Sequence, residues 1–138
     1  MITDEVRSFA MANSKAVLTT FRRDGAAQMS IVVSTPTEEG VSFTTTEDRA
    51  KYKNLVRDSR CSLLVSKDDW WGFIVLEGNA TLITQTNTTQ DEYLHACRNI
   101  YRQISGEHSN WPEYDRAMLD DRRVVITVAP ERVYGTAL

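Results

Sequence analysis

The sequence predicts a mainly β fold with helices (α+β), in which six antiparallel strands close, or nearly close, into a small barrel. Three observations lead there. Six short segments rich in β-branched residues recur along the chain. Asp24-Gly25 joins the first two, the pair that most strongly signals a tight hairpin. Helical periodicity interrupts the series twice, from Thr46 and from Thr89. Closure would also hide the edges of strands this apolar.

Val6, Phe9 and Ala10 fall at i, i+3 and i+4, so residues 3–12 form a short amphipathic helix. "KAVLTTFRR" sets Ala16, Leu18 and Thr20 against Val17, Thr19 and Phe21 as a strand, and "QMSIVVS" returns beside it. "STPTEEG" reads as a polar loop and "VSFTTT" as a third strand. Tyr52, Leu55 and Val56 then recur at helical spacing, with Asp48 positioned as the N-cap. "CSLLVS" is a fourth strand and "KDDWWG" a polar loop. "GFIVLEGNATLI" is a long fifth strand bulged at Gly78. Thr89 and Glu92 have capping-box spacing and open the longest helix. Its core side reads Leu94, Cys97, Tyr101 and Ile104, and Gly106 stops it. A short helix starts near Pro112, and "RRVVITVAPERVYG" is a sixth strand ending at Pro130. With no repeat, linker or low-complexity segment, residues 1–138 read as one domain.

Bulk properties exclude several classes. A net charge of -3 argues against the broad basic surface of a nucleic-acid binder. Cys61 and Cys97 make no CxxC pair or disulfide scaffold, which favours a reducing setting. "MITDEVRSFA" has acids where a signal peptide needs a basic region, and the longest purely aliphatic or aromatic run, "FIVL", is too short to span a bilayer. The expectation is a cytoplasmic protein without membrane or nucleic-acid partners. His95 and His108 stand alone, so no metal is expected. There is no GxGxxG, Walker loop or GxSxG, and both thiols fall at apolar positions. Any hard chemistry has to come from a bound cofactor.

Two constellations remain. In "TTTEDRAK" the hydroxyls of Thr44, Thr45 and Thr46 end a strand where a helix begins, and Arg49 and Lys51 follow at once. Hydroxyls, free helix N–H groups and cations would together hold a phosphate. Equally, Arg49, Lys53 and Arg57 could be a solvated stripe beside threonines that merely favour strands. Composition and spacing leave both readings open. Trp70 and Trp71 are tandem indoles in a polar loop, each with about 200 Å² to bury. The expectation puts one in the core and the other against a ligand ring or a partner subunit. Trp111, before a proline, reads as a packing residue.

Five stretches, "VLTTFRRDGAAQMSIV", "SFTTTEDRAKYKNLVRDSRCSLLV", "WWGFIVLEGNATL", "SGEHSNWPEYDRAML" and "RRVVITVAPERVYG", follow one another in an order and spacing that cover nearly the whole chain. In these the chain resembles the pyridoxamine 5′-phosphate oxidase-like split β-barrel proteins, and within them the branch that uses the deazaflavin coenzyme F420. The resemblance implies a homodimer with two cofactor sites at its interface. It implies a phosphate held by Thr44, Thr45, Thr46, Arg49 and Lys51, and a ring lying along Ser30, Ile31, Val32 and Val33. It further implies that the neighbouring subunit closes the site with Trp70 and Trp71. The implied activity is transfer of a hydride from reduced deazaflavin to an electron-poor small molecule such as a conjugated carbonyl, a quinone or a tetrapyrrole-like compound. FMN is the alternative cofactor, and a non-catalytic flavin or F420 binder the alternative role. Two departures stand out: "MSIVVS" is more aliphatic than in many relatives, and Lys53 replaces a common arginine, keeping charge but losing bidentate geometry. Residues that bind pyridoxal phosphate in oxidases of that vitamin have no strong counterpart, which argues against that activity.

Overall fold

A computed structural model describes residues 2–138. Helix α1 (Asp4–Ala12) is capped by Thr3, whose hydroxyl accepts from the Val6 N–H, and buries Val6 and Ala10. Strands β1 (Lys15–Phe21) and β2 (Ala27–Val33) form the expected hairpin. Its connection spans residues 22–26 and turns at Gly25, whose φ of 86° suits glycine. The sheet has seven strands rather than six. The extra one, β3 (Thr35–Pro36), lies inside the segment read as a loop and pairs with β4 (Val41–Thr46). Pro36 explains the difference: lacking an N–H, it can join a sheet only at an edge, and β3 is an edge.

Helix α2 (Ala50–Arg57) leads into β5 (Arg60–Ser66) and β6 (Phe73–Ile83). Then come α3 (Gln90–Ser105), α4 (Trp111–Asp120) and β7 (Arg123–Tyr134). β7 does not stop at Pro130. The bulge expected at Gly78 shifts the register so that Pro130 faces Gly78, where its missing N–H breaks no ladder bond. A Cβ at Gly78 would lie 2.1 Å from the Ala129 carbonyl oxygen, so the approach demands glycine.

All pairings are antiparallel, in the order β2-β1-β5-β6-β7-β4-β3. The sheet curls into a half-barrel whose edges, β2 and β3, stay unjoined. Alternation along its strands separates two cores. Leu18, Phe43, Leu63, Leu76, Val124 and Ile126 fill the barrel, with Leu55 of α2 and Val6 of α1 against them. On the other face Val125 packs under Tyr93, Cys97, Ile100 and Tyr114 of the α3–α4 layer. The buried stripe of α3 is thus Tyr93, Cys97 and Ile100: Cys97 is buried as expected, whereas Leu94, Tyr101 and Ile104, expected beside it, are only partly buried or exposed. No described helix is long and apolar enough to cross a membrane.

Candidate functional site

The junction between β4 and α2 sets the site. Phe43 and Thr45 register with Ile126 and Val124 on the barrel side, so Thr44, opposite Val125, turns toward the α3–α4 layer. A strand cannot aim three consecutive hydroxyls at one point. After Thr46 the chain makes a turn, with the Arg49 N–H on the Thr46 carbonyl at 3.1 Å, and the helix begins at Ala50. Asp48 is not its cap. Its carboxylate is taken by the Thr46 hydroxyl, which holds its pKa below the usual value. Arg49 stands at the N-cap instead, and no side chain accepts from the first turn of α2, which holds no acid either.

The cleft that opens here has a volume of about 690 Å³. Residues 31–33, Thr44, Thr45, Arg49 and Lys51 form one side, and Tyr101, Ile104, Ser105, Tyr114 and Met118 of the helical layer form the other. Arg123 also lines it. The lining contains no Asp, Glu or His. Five ion pairs are made among the described residues, and none involves Arg49, Lys51 or Arg123. Burial pushes the Lys51 ammonium below its ordinary pKa, and the charge of Arg49 pushes it further the same way. Two like charges held this close, neither in an ion pair, favour an anion between them.

The remaining expected residues lie around this cleft. Ser30 lines an adjoining recess of about 160 Å³ with Thr20 and Gln28, and Arg49 and Lys51 belong to both spaces. Thr46 faces an open groove with Glu47, Asp48, Asp120 and Asp121, and Arg49 and Arg122 line that groove as well. Neither Trp70 nor Trp71 enters the core. Lys67 and Gly72 close a tight turn, with Trp70 at a φ of 67°, and this lifts both indoles off the sheet. Trp71 is 82% exposed. Trp111 does pack: it meets Tyr101, His108 and Tyr114 edge to face or tilted, under the guanidinium groups of Arg98 and Arg102.

A sequence profile of the pyridoxamine 5′-phosphate oxidase family matches residues 2–137. The chain belongs to that family. Among solved structures, the chain is similar to a conserved hypothetical protein from Mycobacterium tuberculosis, with a TM-score of 0.76, 19% identity, and 96% of this chain and 83% of that one covered. An F420 reductase superposes with a TM-score of 0.69 at 21% identity over 96% of this chain and 98% of its own. The heme storage protein of Vibrio cholerae does so with a TM-score of 0.70 at 12% identity, over 95% and 92%. At such identities these likenesses establish the shared half-barrel, and function has to be argued from the site.

Sequence reasoning does not find the aromatic and apolar wall of α3 and α4, nor Arg123, as parts of the site. The doubled arginine of "RRVVITV" was the available signal, but only the β4–β7 register brings Arg123 to the cleft as the partner of Thr46. Among the described residues no group of three or more His, Cys, Asp or Glu gathers to hold a metal. Burial raises the thiols of Cys61 to about 12 and Cys97 to about 11, so neither is a nucleophile at neutral pH.

Proposed function

We propose that this protein is a reductase using reduced F420, which passes a hydride to an electron-poor small molecule and works as a homodimer with cofactor sites at the subunit interface. The observation that carries this reading is the Arg49 and Lys51 pair, which makes no ion pair and lines, with Thr44, a cleft whose own lining holds no acid. Those two cations, the Thr44 hydroxyl and the uncapped N–H groups of α2 would hold the phosphate. Residues 31–33 would offer an apolar wall and main-chain groups to the ring. The chemistry the cofactor supplies when bound is hydride donation. The chain's own part is to anchor, to orient and to exclude water. Similarity to an F420 reductase of the same fold supports the choice of deazaflavin; FMN, which also carries a phosphate, is the alternative.

The exposed surface beside the cleft supports the homodimer reading. On the edge strand β2, Met29 and Ile31 are 68% and 69% exposed, with Val33 in the same row, and Trp71 stands clear of the sheet. A bare apolar edge invites pairing unless a partner covers it. A non-catalytic binder is the second reading, favoured by the lack of any carboxylate or imidazole to move a proton in the lining. Titrating F420 and FMN, oxidised and reduced, decides the cofactor. Following oxidation of the bound reduced form against a panel of acceptors decides the role: turnover supports the reductase, and tight binding without turnover supports the binder.

A further inference from the structure

Arg123 opens β7 as the register partner of Thr46, and alternation sends its side chain to the α3–α4 face of the sheet. Its carbonyl oxygen accepts from the Tyr93 hydroxyl at 2.6 Å, which fixes the main chain there. The side chain has no such partner. Nε is buried and bonded to nothing. No carboxylate pairs with it: Glu47 meets Arg122 at 3.8 Å, and Asp115 pairs with Arg98. Burial dominates the raised pKa values of Cys97 and Tyr114, and the charge of Arg123 opposes it in both, whereas the charge felt by Lys51 is that of Arg49. The cleft therefore has two cationic points, one on α2 and one under the helical layer.

A guanidinium held in a cleft with an orphaned N–H is costly unless an acceptor arrives. A carboxylate matches its fork with two oxygens, which a neutral acceptor cannot do as strongly. The same cleft is lined by Tyr101, Ile104 and Met118, and Ile104 is 37% exposed although it is aliphatic. A wall of that kind covers a flat apolar body.

We propose that Arg123, with Tyr101, Ile104 and Met118, is the subsite of the second reactant, an aromatic or conjugated carboxylate; the word reactant rests on reading the α2 end as the cofactor anchor. The probes are 2-naphthoate and its neutral counterpart 2-naphthalenemethanol, titrated by calorimetry into the full chain, alone and with saturating F420. The wild type should bind the carboxylate at least roughly ten-fold more tightly than the alcohol, and it should still do so when loaded. Arg123→Gln should erase that preference while leaving F420 affinity within about two-fold, and Arg49→Ala should do the reverse. If Arg123→Gln does not fold, Arg123→Lys carries the test, with the preference cut several-fold by the loss of the fork. A preference that survives at Arg123, or that disappears in Arg49→Ala instead, overturns the subsite. Displacement of naphthoate by F420 overturns its role as the site of a second reactant. Absence of F420 and FMN binding in the wild type overturns the reductase reading, and is seen before any naphthalene is added.

Discussion

Replacing Asn54 with alanine tests how the anion-binding helix is held to the barrel. Asn54 lies buried on α2, and its amide donates to Thr20 Oγ1 at 3.0 Å and to Gln28 Oε1 at 2.7 Å. Its carbonyl oxygen accepts from Arg57 Nη2 at 2.9 Å. The two neutral bonds contribute about 1 kcal/mol each. The bond from Arg57 adds about 1 kcal/mol, because that side chain also donates to the Phe21 carbonyl and meets solvent. Asn54→Ala should then cost about 3 kcal/mol, most of it through β1 and β2, the strands on which α2 rests. Urea unfolding followed by tryptophan fluorescence reads this as a lower midpoint at unchanged m-value. Thr20→Val removes only one of the acceptors and should cost about 1 kcal/mol. A loss below about 1 kcal/mol for Asn54→Ala, or one no larger than that of Thr20→Val, would show that apolar packing around Leu55 holds the helix and the polar network does not.

Other outcomes follow from the same coordinates. Since burial and Arg49 depress the Lys51 pKa, its charge is complete at low pH and is lost as pH rises through a value below 10.5. F420 affinity should fall over that window, ahead of an ordinary lysine, and Lys51→Met should flatten the profile in a titration series. Gly78→Ala must drive a methyl against the main chain of Ala129, Pro130 and Glu131, and should cost about 1–3 kcal/mol in thermal or urea unfolding. Cys61 and Cys97, buried and with raised pKa values, should resist iodoacetamide at pH 8 in the native protein and react after denaturation, as mass spectrometry would show.

What could be read in the chain beforehand was local. Thr44, Arg49 and Lys51 sit within eight residues of one another, so a strand followed at once by a helix was enough to bring them together. Arg123 is some eighty positions further on and reaches them only through strand pairing, which no short-range pattern encodes. The stripe on α3 misled for a different reason. That helix is apolar toward the sheet through Tyr93, Cys97 and Ile100, and apolar again toward the cleft through Tyr101 and Ile104, so periodicity had two faces to choose from. β3 was hidden by its own proline, and the extension of β7 by another, because each proline falls where the ladder asks for no donor. Asp48 failed as a cap because Thr46 reached its carboxylate first. Tandem tryptophans predict burial, and the turn that holds them leaves Trp70 half-exposed and Trp71 almost bare within one chain.

An anion seated where β4 hands over to α2 is the claim on which the functional reading stands. Fluorescence titration of F420 and FMN against wild type, Arg49→Ala, Lys51→Ala and Arg57→Ala tests it most directly. Arg49→Ala and Lys51→Ala should each weaken binding by about 1.5–3 kcal/mol with the fold intact, and Arg57→Ala, a helix length away, should hardly matter. Equal losses in all three variants, or none in the first two, would contradict it.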